Sequence, residues 1–314
     1  GELRGRQGYR GIILSDWAIT RDCTPGCRAP SAEAPQLPQD IATSWGVEEL
    51  TVAERYVKGL AAGIDQFGGT DDVQPLIDAV AAGEVSEERL DLSVRRVLAA
   101  KFRLGLFENP YVDPQAAKAA IGRAEDVALA EQTQREAQVL LENRDNLLPL
   151  AAGTTKVWLH GLDPAAAEAA GLAVVGDLAD ADVAIVRAET PAEMLHPHHF
   201  FGSRYKEGRL DFRDGDPPYE ALKQAQAAGV SAVLAIFLDR PAVLTNVQDK
   251  AAAILANFGA SDAAVLDVLT GQAQARGKLP FELPRSMAAV AAQDPALPDD
   301  SEDPLYPFGA PMAP

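Results

Sequence analysis

Arg10-Gly-Ile-Ile-Leu-Ser-Asp-Trp-Ala-Ile19 is the stretch that sets the architecture of this chain. Ile12, Ile13 and Leu14 form an apolar, mostly β-branched run, which is typical of a parallel strand buried on both faces. A carboxylate and an indole, Asp16 and Trp17, follow the strand directly. Ligands bind at the carboxyl ends of parallel strands in α/β proteins, so Asp16 is a candidate functional residue. A lone aspartate at such a position is more often a helix cap or a turn residue.

The composition is that of an acidic, globular chain. Its 314 residues are 47% hydrophobic and 24% charged, which is enough material for about two domains. The formal net charge of -18 excludes a nucleic-acid partner, because a polyanion would be repelled, but it does not penalise neutral ligands such as sugars. No apolar run reaches the length of a membrane span, and residues 1–20 contain no secretory apolar region.

The first nine residues are typical of the end of a helix and a glycine turn that leads into the strand. A domain that begins in this way lacks whatever preceded the helix. We therefore expect the chain to be part of a longer polypeptide, and a signal peptide could be missing with the rest.

The chain has two cysteines, Cys23 and Cys27, which flank a Pro-Gly turn signal. The turn favours a disulfide between them, and a disulfide would indicate an exported, oxidising location. Two free thiols are the alternative. A metal site is disfavoured because no second pair of ligands has suitable spacing.

Residues 1–105 predict the closing part of a β/α repeat rather than a complete one. An irregular loop rich in Pro and Ala runs from Trp17 to about Trp45 and is long enough to line a site. Thr51 to Glu54 resembles a capping box that starts a helix ending at Gly63. The later elements are a short strand at 64–69 and helices at 73–82 and 86–103.

A second domain is predicted at 125–290, after a Pro-containing linker at 106–124. A helix at 125–142 opens it, and the acidic tail at 291–314 follows it. Strands and Ala-rich helices then alternate, which predicts a doubly wound parallel sheet with helices on both faces. The predicted strands are 157–159, 183–186, 232–237 and 253–256, the helices are 164–170, 218–228 and 260–272, and 278–284 is a late extended edge segment.

Six motifs, in order and spread from end to end, resemble glycoside hydrolase family 3, which contains β-glucosidases, β-xylosidases and related exo-acting enzymes. They are Gly8-Tyr-Arg-Gly-Ile-Ile-Leu-Ser-Asp-Trp17, Ala61-Ala-Gly-Ile-Asp65, Ser93-Val-Arg-Arg-Val97 with Lys101-Phe-Arg-Leu-Gly-Leu-Phe107, Arg135-Glu-Ala-Gln-Val-Leu-Leu-Glu-Asn143 with Asn146-Leu-Leu-Pro-Leu150, Gly277-Lys-Leu-Pro-Phe281, and Pro304-Leu-Tyr-Pro-Phe-Gly309.

The resemblance implies a TIM-like (β/α) barrel followed by an α/β sandwich, with most of the barrel absent from these residues. It also implies that Asp16 is the nucleophile of a retaining glycosidase. Retention needs two carboxyl groups about 5–5.5 Å apart, one to attack the anomeric carbon and one to protonate the leaving oxygen.

The second carboxyl is expected in the loop at 190–218, which is long, aromatic and charged. Glu207 is the residue we choose for the acid/base role, because Glu207-Gly-Arg-Leu-Asp211 loosely resembles the family's acid/base segment. Glu193 in the same loop is the alternative. An ion pair of Glu207 with Arg204 or Arg209 on a solvated surface is the structural interpretation.

Trp17, Arg204 and His199 are the predicted substrate contacts, although Trp17 could instead be a packing residue of the barrel rim. His196, His198 and His199 suggest a metal cluster, but hydrogen bonding explains them better because a paired Cys or carboxylate motif is missing. Neither a metal nor a cofactor is expected. Asp65 is interpreted as a structural carboxylate at a second strand end.

The leading hypothesis is an exo-acting retaining β-glycosidase, specifically a β-glucosidase, that acts on a β-linked oligosaccharide or an aryl or alkyl β-glycoside. The expected partner is the missing barrel portion of the same enzyme, and a homodimer is left open. A periplasmic or secreted location is expected. An inactive fragment, a β-xylosidase and an N-acetylglucosaminidase are the alternatives. A nucleotide-binding protein and a serine hydrolase are disfavoured, because no phosphate-binding glycine motif and no G-x-S-x-G elbow occur.

Overall fold

The computed structural model describes residues 1–297 and 299–310, so Pro298 and 311–314 of the predicted tail lie outside the described residues. The chain divides into two compact units, each considered by itself. Unit 1 comprises Gly1–Lys118 and Met194–Glu207, and unit 2 comprises Ala119–Glu193 and Gly208–Pro314. The domain boundaries predicted at 105, 124 and 290 stay predictions.

Unit 1 contains two short strands and a set of helices that match most of the predicted segments. After a five-residue helix at Glu2–Arg6, its elements are β1 (Leu14–Trp17), α1 (Pro25–Arg28), α2 (Val52–Ala62), β2 (Gln66–Gly68), α3 (Gln74–Ala81), α4 (Glu87–Arg103) and α5 (Pro114–Ala120). Helix α5 lies inside the stretch predicted to be a linker and crosses the boundary of the unit at Lys118.

Local chemistry explains where α2 begins and ends. Thr51 Oγ1 accepts a hydrogen bond from the backbone N–H of Glu54, and Glu54 Oε2 accepts one from the N–H of Thr51. This reciprocal pair is the predicted capping box. The helix ends at Gly63, whose φ of 105° is favourable only for glycine.

Strands β1 and β2 pair in parallel, with Leu14 opposite Gln66 and Trp17 opposite Gly68. The prediction that the first strand is buried on both faces is wrong, because Leu14 is 60% exposed. Within the described residues the sheet has only these two strands, so no neighbouring strand covers the outer side of β1. The buried core of unit 1 is correspondingly small and is formed around Leu60, Ala79 and Val85.

Unit 2 is an α/β unit built on one mixed six-stranded sheet. Its elements are α6 (Ala124–Glu136), β3 (Val139–Asn143), β4 (Lys156–His160), α7 (Pro164–Ala169), β5 (Ala173–Val174), β6 (Val183–Glu189), α8 (Pro217–Ala228), β7 (Ser231–Phe237), β8 (Ala253–Asn257), α9 (Asp262–Leu269) and α10 (Met287–Ala292). The strand order is β3-β8-β7-β6-β4-β5.

Alternate residues of the central strand β7 belong to two separate cores, one on each face of the sheet. Leu234 and Ile236 pack with Leu222 of α8, whereas Val233 and Ala235 pack with Val265 of α9. Apolar residues on both faces are what a buried parallel strand requires. The four predicted strands and the helices between them are therefore confirmed in unit 2.

The edge of the sheet differs from the prediction. Residues 139–142, predicted as the end of a helix, belong to β3, which pairs antiparallel with β8 and makes the sheet mixed rather than wholly parallel. Val139 is fully buried in that pairing, so a tertiary contact overrides the helical pattern. The late segment 278–284 contributes only a single bridge, from Leu283 to Tyr306.

Among the described residues, no helix has the length and apolar character needed to cross a membrane.

Candidate active site

Asp16 lies near the end of β1 with an exposed side chain. The backbone N–H of Trp17 donates to Asp16 Oδ1 over 2.6 Å, which orients the carboxylate. Ser15 Oγ accepts a hydrogen bond from the N–H of Gly68 at 2.9 Å, so β1 is tied to β2 beside the carboxylate. Asp16 thus has one oriented oxygen, and its other oxygen has no partner among the residues that the structure describes.

The backbone turns sharply just after Asp16. Ala18 has a φ of 55°, which is uncommon for a residue other than glycine. It is fully buried, its N–H donates to the carbonyl of Gly68 at 2.9 Å, and its carbonyl accepts from the N–H of Thr43 at 3.3 Å. The surrounding contacts therefore hold the unusual turn, and backbone strain of this kind is often concentrated at functional sites.

Trp17 carries an indole that is 57% exposed in the described chain. The ring lies against Gly69, where an added Cβ would be 2.6 Å from Trp17 Cδ2. Gly69 also has a φ of 69°. A glycine at this position is therefore required both by the backbone conformation and by the close approach of the indole.

A cavity of about 710 Å³ within unit 1 contains both predicted carboxyl groups. Residues distant in sequence line it, from the loop after β1 and from the 194–207 segment, and several are aromatic. The lining residues are Asp16, Trp17, Cys23, Cys27, Arg28, Gln36, Ile41, Ala42, Thr43, Trp45, His196, His199, Phe201, Gly202, Tyr205 and Glu207. The cavity therefore brings together four of the five predicted site residues: Asp16, Trp17, His199 and Glu207.

Glu207 is held by one histidine and one backbone amide. Its two carboxylate oxygens lie 2.9 and 3.0 Å from His196 Nδ1, and the N–H of Leu195 donates to Oε2 at 3.1 Å. The hydrogen bond with His196, helped by the charge of that ring and by the backbone amides, lowers the pKa of Glu207 below its ordinary value despite some desolvation. Glu207 is thus anchored beside the cavity by His196 and by the backbone of Leu195.

The three neighbouring histidines have separate roles. The rings of His196 and His199 meet edge to face, 5.5 Å apart, and both line the cavity. The carbonyl of His198 accepts a hydrogen bond from the N–H of Gln36. Among the described residues, no group of three or more His, Cys, Asp or Glu side chains is arranged to hold a metal ion.

Arg204 and Glu193 are not among the described residues that line the cavity. The guanidinium of Arg204 lies 4.0 Å from the centre of the Phe200 ring and donates to the carbonyl of Phe200. Glu193 accepts a hydrogen bond from the N–H of Arg209 at 2.9 Å within unit 2. The structure therefore gives both side chains local partners.

Asp65 lies directly before β2, at its amino end, and it is enclosed by donors. Arg4, Arg96, Ser93 and the backbone N–H of Ile13 all donate to its carboxylate, whose side chain is fully buried. Burial raises the pKa of Asp65, but these hydrogen bonds outweigh burial and leave the pKa below its ordinary value. This set of partners agrees with the structural role predicted for Asp65.

Gln36 is a residue of the site that the sequence analysis missed. Its N–H donates to the carbonyl of His198, its Oε1 accepts from the N–H of Phe200, and its Nε2 donates to the carbonyl of Cys27. It therefore joins two loops that are separated by more than 150 residues in sequence. An isolated glutamine in an irregular loop carries no sequence signal for this bridging role.

Aromatic rings form much of the cavity wall. Phe201 and Tyr205 stack with centroids 5.4 Å apart and an interplanar angle of 14°. Trp45 is 76% exposed and Tyr205 is 60% exposed, so both large rings present open faces. Two sequence features indicate this wall: the aromatic residues of the 196–205 segment and the long loop from Trp17 to about Trp45. Neither singles out Trp45 as a lining residue.

The predicted disulfide between Cys23 and Cys27 is present. It spans α1, where Thr24 caps the first turn by accepting from the N–H of Cys27. Because both cysteines line the cavity, the disulfide constrains one wall of the site.

Chemically, the cavity combines two carboxylates with exposed aromatic faces, which is suited to a neutral, ring-shaped, hydroxylated ligand. One carboxylate, Asp16, is open to attack an electrophile. The other, Glu207, is coupled to an imidazole that can carry a proton.

A family model matches the second half of the chain, and curated relatives match nearly all of it. Residues 168–313 match the glycosyl hydrolase family 3 C-terminal domain. The chain is 49% identical over 307 residues to a periplasmic beta-glucosidase/beta-xylosidase of Dickeya chrysanthemi, covering 98% of this chain and 46% of that protein. It is 38% identical over 310 residues to beta-glucosidase C of Emericella nidulans, covering 98% and 48%. The chain thus spans about half the length of the curated relatives it matches.

Solved structures show the same fold at lower identity. A β-glucosidase from Erythrobacter marinus superposes with a TM-score of 0.75 at 23% identity, over 99% of this chain and 49% of that one. The β-glucosidase from Listeria innocua in complex with isofagomine gives 0.70 at 21% identity, over 98% and 48%.

Proposed function

The chain belongs to glycoside hydrolase family 3, and from this premise we propose that it carries the catalytic nucleophile and the acid/base group of a retaining β-glycosidase. The names of the Dickeya and Emericella relatives support β-glucosides, and also β-xylosides, as substrates. The observation that carries the proposal is the presence of Asp16 and Glu207 in one aromatic-lined cavity of the same unit.

In the first step, Asp16 attacks the anomeric carbon of the non-reducing sugar while the bond from that carbon to the leaving oxygen breaks. The leaving oxygen takes up a proton from the enzyme, and a covalent glycosyl ester forms on Asp16. In the second step, water attacks the same carbon, gives its proton back to the enzyme and releases the carboxylate. Two inversions give net retention.

The proton in these steps is held by Glu207 and His196 together. A carboxyl that protonates a leaving group should keep its proton near the working pH, whereas the contact with His196 lowers the pKa of Glu207. An imidazolium–carboxylate pair contains one transferable proton in total. Delivery of that proton leaves a neutral ring and a carboxylate, which then accept a proton from water.

Trp17 and His199 are the proposed sugar contacts, because both line the cavity beside the two carboxylates. The exposed indole offers its apolar face to the C–H face of a sugar ring. We propose for Arg204 a supporting part, in which it fixes Phe200 and so the segment that carries Phe201 and Tyr205.

Unit 1 is proposed to be the closing part of a TIM-like barrel. The parallel pairing of β1 with β2 and the exposure of Leu14 support this, since a strand in a closed barrel has neighbours on both sides. The relatives are about twice as long as this chain, and we propose that a segment corresponding to their remaining half supplies the other barrel strands.

The disulfide supports an exported location, and the Dickeya relative is named as periplasmic. We therefore propose a periplasmic or secreted site of action.

The test is covalent trapping with a 2-deoxy-2-fluoro β-glucoside that has a good leaving group, because the fluorine slows hydrolysis of the glycosyl ester. The chain is incubated alone and together with the remaining half of the Dickeya relative. Peptide mass spectrometry should find the sugar on Asp16, and the label should disappear in the Asp16→Asn form. A label on another residue, or an Asp16→Asn form that is labelled equally, would contradict the proposal.

An inactive fragment is the second candidate, because half of the relatives' length is not represented. It predicts neither trapping nor release of nitrophenol from aryl β-glycosides by the chain alone. Release only after the second half is added would favour a site completed by that half. Comparing glucosides, xylosides and N-acetylglucosaminides in the same assay separates the three sugar alternatives.

A further inference from the structure

Three arginines of unit 1 differ from all the others in the described chain. Arg10, Arg95 and Arg103 have no hydrogen-bond or ion-pair partner there. Every other arginine has at least one, for example Arg6 with Glu2, Arg55 with Asp22 and Arg285 with Asp303. In a chain with 46 acidic and 28 basic side chains, unpaired guanidinium groups are unexpected.

All three line the same groove, which has a volume of about 210 Å³. A fourth arginine, Arg96, lines it as well and uses one of its nitrogens to bind Asp65 at 2.8 Å. None of the residues that line this groove lines the cavity of Asp16 and Glu207. The groove is therefore a separate feature of unit 1.

Helix α4 supplies most of the groove as a single stripe. Leu92, Arg95, Arg96, Ala99, Ala100 and Arg103 follow the i, i+3, i+4 spacing that places residues on one face of a helix. Arg10, Gly11 and Ile12 lie opposite, just before β1. The floor between the arginines is apolar and small, so the guanidinium groups form the polar rim of a shallow basin.

Like charges at such spacing repel each other, and no carboxylate in the described residues forms an ion pair with Arg10, Arg95 or Arg103. An anion seated in the groove would remove this repulsion and satisfy the planar donor forks, which match carboxylate and phosphate groups in bidentate geometry. A single charge would leave at least two of the arginines without a partner. A ligand with two or more oxyanion groups fits the number and spread of the donors.

We propose that this groove binds a small multivalent oxyanion, a polycarboxylate or a phosphate compound, through Arg10, Arg95, Arg96 and Arg103. The aliphatic part of α4 between the charges gives a carboxylate ligand an apolar surface to lie on. Binding weakens as salt rises, because three of the four arginines are exposed and their charges are screened.

Isothermal titration calorimetry of the full chain with citrate and with inorganic pyrophosphate, at constant ionic strength, tests the proposal. Saturable binding of one or both is expected, and the two arms distinguish a carboxylate from a phosphate ligand. The Arg95→Ala/Arg103→Ala form should bind at least about tenfold more weakly, since it loses two charge-assisted donors. Unfolding midpoints check that it remains folded, which is expected because both side chains are exposed.

The matched control is Arg6→Ala/Arg276→Ala, which removes the same charge from exposed arginines outside the groove. Its affinity should equal that of the unaltered chain. Equal weakening in both double forms, or no saturation beyond that of sodium chloride, would overturn the proposal. The proposal would also be overturned if light scattering showed dimers of the chain and the calorimetry showed no binding of either anion. The groove would then bind an acidic segment of a second copy.

Discussion

Asp16 and Asp65 accompany two neighbouring parallel strands of unit 1, and the molecule uses them in opposite ways. Asp16 is exposed, accepts one backbone hydrogen bond and keeps an oxygen without a described partner. Asp65 is fully buried and receives donors from two arginines, a serine and a backbone amide. The carboxylate proposed to react is left accessible, whereas the buried one has both of its oxygens occupied by donors.

The largest effect is expected from substitution of Asp16. In the form of the protein that turns over aryl β-glucosides, Asp16→Asn should lower kcat by at least about 10⁴-fold, as loss of a nucleophile does in other enzymes. The free energy of unfolding should stay within about 0.5 kcal/mol of the unaltered value, because the side chain is exposed. Initial rates and urea titrations measure the two quantities. The control is Asp71→Asn, another exposed aspartate, which should change neither. Unchanged turnover in Asp16→Asn would remove the assignment.

Asp65 should give the reverse result. Asp65→Asn removes the negative charge and replaces one acceptor oxygen by a donor group. Arg4 and Arg96 then lose their carboxylate partner, which costs about 3 kcal/mol or more of unfolding free energy. Urea denaturation followed by circular dichroism measures it. Because folding lowers the pKa of Asp65, its contribution is fully present above the ordinary aspartate pKa of about 3.9 and is lost as the pH falls through the lower folded value. A loss below 1 kcal/mol would show that the donors do not depend on Asp65.

Glu207 sharpens the comparison, because its carboxylate has more partners than that of Asp16 and fewer than that of Asp65. His196→Asn removes the cation that lowers the pKa of Glu207, so that pKa should rise. Carboxyl carbon NMR on the chain measures this without any turnover. In an active form, the alkaline limb of kcat/KM should move to lower pH, because the imidazole no longer holds the proton. His198→Asn is the control, because His198 binds Gln36 through its backbone carbonyl. A limb that moves to higher pH, together with the pKa of Glu207, would assign the proton to Glu207 alone.

The smallest effect concerns how the indole beside Asp16 is positioned. Gly69→Ala places a methyl group 2.6 Å from Trp17 Cδ2 and should raise the KM for aryl glucosides severalfold while lowering kcat less. Gly83→Ala is the matched control, because Gly83 has a similar φ of 75° but nothing within 4 Å of an added Cβ. Both substitutions have a similar backbone cost, so stability should fall by about 1 kcal/mol in each. Equal KM values in the two forms would show that the position of Trp17 does not affect substrate binding.

Much of unit 2 could be predicted from the sequence, because its signals are local. The apolar runs at 183–186 and 232–237 are flanked by helical segments, and β6 and β7 include them. Strand β3 was missed because Val139 to Asn143 continues a helical pattern, and only its pairing with β8 distinguishes a strand from a helix. A pairing partner more than 100 residues away leaves no trace in a short window.

In the site, the sequence by itself determined Asp16, the turn between Cys23 and Cys27 and the capping of α2, since each depends on neighbouring residues. Only the tertiary structure brought Trp45 and Gln36 to the cavity of Asp16 and paired Glu207 with His196. It also enclosed Asp65 with donors from three separate segments. The physical reason is that propensities, caps and turns act over a few residues. A cavity and a buried charge depend on which distant surfaces pack together, and that is decided by the fold as a whole.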